Sequence, residues 1–249
     1  DSSGVRLGGP QDTAYQQFTA YSSNFSGLSG SLGMAYNFND NVYFKLNLSR
    51  GYRAPTIQES GADGIHDGTP FYEIGDHNLK PESSLQVDAT FGINTENYTL
   101  EADAFYNQIN NYIFAQKLAS VLGGDSIRTD VAANMSGPTF KYIQGNAILN
   151  GGEAIFDLHP SEFKGFHWNN SFGMVNAILM NQGDSSRYLP YMPPYRYHSE
   201  VRLEMRNQTA FIKNGFIKFG MDYFFEQNKY YIKFGNETMT PEYKLFNVG

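Results

Sequence analysis

At 249 residues the chain has room for a single all-β sandwich or barrel, and its 16% aromatic residues, against 17% charged, exceed what ordinary soluble domains carry. A net charge of -7 removes the basic stripe that nucleic acid requires, and the absence of cysteine excludes disulfides, thiolate metal sites and cysteine nucleophiles. No apolar run approaches the roughly 18 residues of a spanning helix, yet a mean hydropathy of -0.46 is compatible with a membrane barrel, where only alternate residues meet lipid.

Along the chain the dominant period is two. Leu28, Leu32, Met34, Tyr36 and Phe38 share one parity, while the residues between them are Ser, Gly, Ala or Asn. Val42, Phe44, Leu46 and Leu48 alternate with Tyr43, Lys45, Asn47 and Ser49. Leu85, Val87, Ala89, Phe91 and Ile93 do the same against Gln86, Asp88, Thr90 and Gly92, and the stretch from Tyr98 to Tyr106 follows. Residues 140–158 switch parity around Gly151 and Gly152, which predicts a β-bulge at that pair. Phe166, Trp168, Phe172, Met174 and Ile178 form a further face, interrupted by Asn170 and Asn176. Later, Tyr197, Val201, Leu203 and Met205 oppose Arg196, His198, Glu200, Arg202 and Glu204, and Ile217 to Phe225 oppose Lys218, Asp222 and Glu226.

The connections alternate in length. Tight turns at Asn39-Asp40-Asn41 and Thr95-Glu96-Asn97 are followed by loops over about 52–83 and 113–139, far beyond the usual 4–6 residues. The connections at 158–165, 181–195, 207–215 and 228–243 continue the shorter-then-longer rhythm. Short turns on one side and long loops on the other predict a transmembrane antiparallel β-barrel. A soluble sandwich or propeller also alternates, but these strands are long and their second face carries Lys45, Asp88, Glu101, Arg202 and Asp222, as a wet lumen would. Tyr36, Phe38, Tyr43, Tyr98, Phe166 and Trp168 fall at the short-turn side, where an interfacial aromatic girdle is expected.

Two motifs carry a family resemblance. The strand ending "SRGYRAP", Ser49 to Pro55, and the loop closing on "NLKPE", Asn78 to Glu82, closely resemble the carboxy-terminal barrel region of TonB-dependent outer-membrane receptors. The sequence between them, "ADGIHDGTPFYEIGDHNLKPE", resembles the version found in receptors for metals, metal chelates and similar nutrients. As a strand and loop pattern the resemblance covers the chain, including "NGGE" and "TPEYKLFNVG". It implies a bacterial outer-membrane barrel of about 22 strands around an amino-terminal plug. Residues 1–249 would be the carboxy-terminal portion, with about nine or ten strands and a further one at Gly249. It also implies lipid around the barrel, a TonB-type energy-transducing protein gripping a segment ahead of the plug, and uptake of an iron-siderophore, haem or another metal species. A surface lipoprotein is a further partner type that the resemblance admits, and no cofactor is expected.

For Arg53, Pro55, Asn78, Pro81 and Glu82 a structural role is preferred, since each proline restricts its predecessor and ends or begins a strand. The loop between them offers Asp63, His66, Asp67, Glu73, Asp76 and His77, donors suited to zinc, copper, nickel or iron, but with no HxH or HExxH to fix geometry. Phe71 and Tyr72 in that loop, and Tyr188, Tyr191 and Tyr195 in "YLPYMPPYRYH", offer a stacking surface for a flat ligand, or packing among loops. Two other classes remain beside uptake. An outer-membrane barrel protease would use rim residues such as His66, Asp67, Asp76 and His77, but no GxSxG elbow or carboxylate pair at a catalytic spacing is present. A passive porin is the other; the expectation is uptake without enzymatic activity.

Overall fold

The computed structural model describes residues 21–66, 68–131, 133–180, 182–183, 187–205, 215–235 and 237–249. Asp67 and most of the predicted 207–215 connection lie outside the described residues. The strands in chain order are β1 (Gly30–Asn37), β2 (Val42–Arg53), β3 (Asp63–Ile65), β4 (Tyr72–Ile74), β5 (Glu82–Asn94), β6 (Tyr98–Lys117), β7 (Ile127–Asp130), β8 (Met135–Leu158), β9 (Phe166–Leu179), β10 (Arg196–Met205), β11 (Gly215–Phe224) and β12 (Tyr243–Val248). One short helix, α1 (Ile57–Gly61), interrupts the first long loop. No helix among the described residues is long and apolar enough to cross a membrane.

The long strands form one antiparallel sheet in the order β1-β2-β5-β6-β8-β9-β10-β11-β12. Each neighbours the next in sequence because a tight turn or a folded loop returns the chain directly, the topology of an up-and-down barrel wall. Register sets the two faces. Leu32, Leu48, Val87 and Tyr106 lie in one cross-strand row, with Met34, Leu46, Ala89 and Ala104 in another. Leu32 is 78% exposed and Leu48 47%, the wrong side of a soluble sheet but the right one for lipid. The opposite face carries rows such as Lys45, Thr90, Asp103 and Glu153. This is the lumen face.

Side chains close the short turns. Asn39 Oδ1 accepts from the backbone N–H groups of Asn41 and Val42, both at 2.9 Å, and Thr95 Oγ1 accepts from Tyr98 N–H at 3.0 Å. Neighbouring turns are laced together, with His159 N–H donating to Asn97 O at 2.8 Å.

At the long-loop end a compact core replaces lipid as the apolar partner. Phe114, Ala147, Ala177, Leu179, Leu189 and Tyr231 are buried together, with Ile143, Leu149 and Met192 against them. Full burial of a side chain such as Leu189 contributes about 1.5–3 kcal/mol. The core explains the parity switch in residues 140–158. β8 pairs with both neighbours without interruption at Gly151 and Gly152, so the predicted bulge is not there. Ile143, Ala147 and Leu149 point to the lumen face under the loops, whereas Ala154, Phe156 and Leu158 point to lipid: one straight strand with two environments.

The bulge lies in β6 instead, where the register with β8 shifts between Ile109 and Tyr112. Asn111 takes a positive φ of 57°, and its N–H donates to Asn146 Oδ1 at 3.1 Å. Two other expectations change. The 113–139 loop is shorter, since β6 runs to Lys117 and β8 starts at Met135. Tyr43 is not in the girdle; it lies on the lumen face, hydrogen-bonded to Glu101 with Lys45 Nζ 4.6 Å from its ring centroid.

Candidate functional site

The first long loop is folded from its ends inward. Arg53, the last residue of β2, donates from Nε and Nη2 to Glu82 at 2.8 and 2.6 Å, and from Nη1 to both oxygens of Glu59 at 2.9 and 2.8 Å. One planar guanidinium thus ties together two strand ends and a helix. Glu59 also closes a capping box on α1: its carboxylate accepts from Thr56 N–H at 2.7 Å, and Thr56 Oγ1 accepts from Glu59 N–H at 3.1 Å. Burial opposes ionisation of Glu59, but the hydrogen bonds from Arg53 and Thr56 outweigh it and hold the carboxyl below its ordinary range. At the far end Pro81 O accepts from Asn111 Nδ2 at 3.1 Å, and Glu82 Oε1 accepts from Ile113 N–H at 2.7 Å. Asn78 turns the chain with Asp76, whose Oδ1 accepts from Asn78 N–H at 2.9 Å. Pro55 follows the strand end that Arg53 anchors.

The middle of the loop is stapled to the next hairpin. β3 pairs with β4, and β4 pairs in parallel with β8, aligning Tyr72 with Thr139. β7 lies along the start of β8, and Asp130 Oδ2 in β7 accepts from Ile65 N–H at 2.8 Å. Tyr72 donates to Asp63 Oδ1 at 2.8 Å; burial and that carboxylate push its hydroxyl up to about 12. Phe71 packs on Phe140 at 4.7 Å between ring centroids. Gly75 allows the close approach at the centre: a Cβ there would lie 2.6 Å from Gly61 N and Ser60 C. His66 Nε2 stands 3.6 Å from Glu73 Oε2, too long for a hydrogen bond. His77 packs against Tyr21 with ring centroids 4.1 Å apart and planes tilted by 36°, and Asp76 Oδ2 lies 3.9 Å from Lys141 Nζ. Among the described residues, Asp63, His66, Asp76 and His77 do not converge as a metal-ligand group.

Tyr188 faces Ile178 in an isolated bridge that folds its loop back along β9. Tyr195 donates to Asn176 Oδ1 at 2.5 Å and accepts from Lys229 Nζ at 2.7 Å. Tyr191 differs from both: it is 65% exposed, has a positive φ of 62°, and donates its N–H to Glu237 Oε1 at 2.5 Å. The left-handed conformation costs an ordinary residue roughly 1–2 kcal/mol, so neighbouring contacts hold an aromatic side chain out at the loop surface. Glu237 is fixed in turn by Tyr231 N–H at 2.9 Å. Below this layer, the lumen wall has a groove of about 630 Å³ lined by residues including Asp88, Asp103, Glu153 and Arg196.

A family model for the TonB-dependent receptor-like β-barrel matches residues 3–249. The chain belongs to the TonB-dependent receptor family. Among solved structures the receptor chain is similar to the copper transporter OprC, with a TM-score of 0.67 and 15% identity, covering 88% of this chain and 30% of that one. The siderophore receptor PirA of Acinetobacter baumannii matches at TM-score 0.57 and 17% identity, over 88% and 34%. The ferric enterobactin receptor PfeA of Pseudomonas aeruginosa matches at TM-score 0.57 and 16% identity, over 88% and 32%. The chain thus spans about a third of the length of these receptors, and at such identities the likeness establishes the fold.

Sequence reasoning passed over one group in the receptor chain. Asp157, His159 and His167 bring ligand atoms within 4.8 Å of one another at the short-turn end. The hairpin register does this: Leu158 pairs with Trp168, so Asp157 and His167 lie diagonally on the lumen face. The signal was the spacing in "DLHPSEFKGFHW", a D-x-H before a turn and a second histidine just after it.

Proposed function

We propose that this chain forms lumen wall and cell-surface loops of an outer-membrane receptor that takes up a scarce metal species, energised by a TonB-type partner. The observation that carries the reading is a pre-folded loop layer, locked by Arg53 and by the β4–β8 pairing, above a polar wall. Pre-organised loops lose little conformational entropy on capture, so a dilute ligand can be held. A copper transporter, a siderophore receptor and a ferric enterobactin receptor share the fold.

Within that reading, the loops suit a preformed chelate such as an iron-siderophore or haem better than a bare cation. His66 and His77 stand beside different neighbours, Glu73 and Tyr21, whereas Tyr191 offers an exposed ring on a constrained backbone. Uptake is also favoured over proteolysis, since the loop carboxylates Asp63, Glu59, Glu82 and Asp130 accept structural hydrogen bonds. The test is ligand binding by the complete receptor in detergent, comparing zinc, ferric chelates and haem. Tyr191→Ala is expected to weaken one chelate at least tenfold while a His66→Ala, His77→Ala double variant binds it normally. The reverse pattern would move recognition to the histidines, and no binding of any metal species would sink the uptake reading.

A further inference from the structure

At the short-turn end of the wall, far from the ligand-facing loops, one carboxylate oxygen receives two imidazoles. Asp157 Oδ2 lies 3.2 Å from Nδ1 of His159 and 3.2 Å from Nδ1 of His167. The rings stack with centroids 5.9 Å apart. Asp157 and His167 come from facing strands and His159 from the turn between them, so the hairpin backbone fixes all three. Bonds of ~2.0–2.1 Å to a tetrahedral ion separate adjacent ligand atoms by ~3.3 Å; the two Asp157 Oδ2–imidazole separations match that spacing, and all three ligand atoms lie within 4.8 Å of one another.

The outer nitrogen of His159 adds an independent constraint. Its Nε2 lies 3.3 Å from Thr95 O, an atom that can only accept. A neutral imidazole carries one N–H. If that N–H serves Thr95 O, the Nδ1 lone pair confronts the Asp157 carboxylate, and a cation between the two satisfies both. A histidine whose second N–H is taken by a backbone carbonyl is also the usual support for a metal ligand. Asp157 Oδ1, for its part, is buried without a hydrogen-bond partner among the described residues, leaving a second carboxylate oxygen for the ion or a water. Arg202, directly across the strand from His167, pairs with Glu204 at 3.1 Å and lies over the Phe216 ring at 4.4 Å, so its charge is shared with Glu204. A groove of about 260 Å³ lined by Asp157, His167, Asn169, Glu200, Arg202 and Glu204 gives access from the lumen.

We propose that Asp157, His159 and His167 form a binding site for a divalent transition-metal ion with nitrogen and oxygen preference, such as zinc or copper, at the periplasmic rim of the lumen wall. A fourth position is open to water or to a group from the rest of the barrel. With two imidazoles and a carboxylate the set is poor for magnesium or calcium, which favour all-oxygen shells. The site does not depend on what the outer loops capture. Such an ion would close the hairpin turn onto β9 and give the rim a fixed positive charge.

The experiment uses the complete receptor, stripped with a chelator and titrated with Zn²⁺ by calorimetry. Wild type is expected to bind one more equivalent than the His159→Ala, His167→Ala double variant, or the same ion at least tenfold more tightly. Asp157→Asn, which keeps the shape of the side chain, is expected to weaken that equivalent at least tenfold. Identical isotherms for wild type and a folded variant overturn the site. Should those variants fail to fold, one equivalent of Co²⁺ on a receptor carrying His66→Ala and His77→Ala decides: X-ray absorption with imidazole nitrogen in a four-coordinate shell supports the site, and an all-oxygen six-coordinate shell overturns it.

Discussion

Arg53 sits 41% exposed, yet it ties both ends of the first loop to its helix. Its fork reaches Glu59 and Glu82 together; a lysine ammonium is a point charge on a flexible stem and cannot copy that geometry. Charge-assisted hydrogen bonds are worth about 1.5–3 kcal/mol each when shielded, and solvent screening at this half-exposed site reduces the expected loss to about 1–2 kcal/mol in all. Arg53→Lys is therefore expected to speed amide hydrogen exchange in residues 57–62 by roughly tenfold, measured by mass spectrometry on the whole receptor. Unchanged protection would remove Arg53 as the organiser. The pH dependence has a definite sign. Glu59 is held below its ordinary value of 4.5, so its contribution is complete above that pH and is lost as pH falls through the lowered value. After correction for intrinsic exchange, protection of the same amides should drop on acidification below 4.5, and Glu59→Gln should flatten the response.

At the scale of elements, β6 turns on one residue. Asn111 occupies the left-handed region at φ 57° and its side chain also holds Pro81 O. Asn111→Gly should keep the bulge and lose only the amide contact, whereas Asn111→Val adds the steric cost of a branched side chain at positive φ, roughly 1–2 kcal/mol. The valine variant is expected to melt lower than the glycine variant in detergent; equal melting would mean that the amide alone matters. This element also marks where sequence reading failed. The alternation of β1, β2 and β5 was legible because lipid and water impose opposite demands on successive residues. In β8 the apolar partner changes from loop core at Ile143 and Leu149 to lipid at Phe156, and a change of partner resembles a change of register. Asn111 gave no apolar signal at all. Tyr43 was misplaced because an aromatic near a strand end fits the girdle by type, and only register shows its face. The ends of the first loop were legible from Arg53, Pro81 and Glu82, while the Asp157, His159 and His167 group depended on a hairpin register that spacing alone does not fix.

For the whole molecule, the long strands leave β1 and β12 as edges among the described residues, with Leu32 78% and Val248 81% exposed. Unpaired strand edges bearing apolar side chains recruit other strands, and a membrane admits a sheet only when its backbone groups are paired. Refolded alone in detergent, residues 1–249 are therefore expected to associate and to give no heat-modifiable monomer band on electrophoresis, in contrast to the complete receptor. A stable, heat-modifiable monomer from this chain alone would show that the two edges can close on each other.

The parallel pairing of β4 with β8 has a bearing on how such a surface is seen from outside the cell. Main-chain groups of residues 72–74 are taken up by β3 on one side and β8 on the other, so the outer landscape is a mosaic of segments distant in sequence. On the proposed function, an antibody raised against the folded receptor would meet that mosaic as one discontinuous epitope. A linear peptide copied from residues 54–81 would present the letters without the shape.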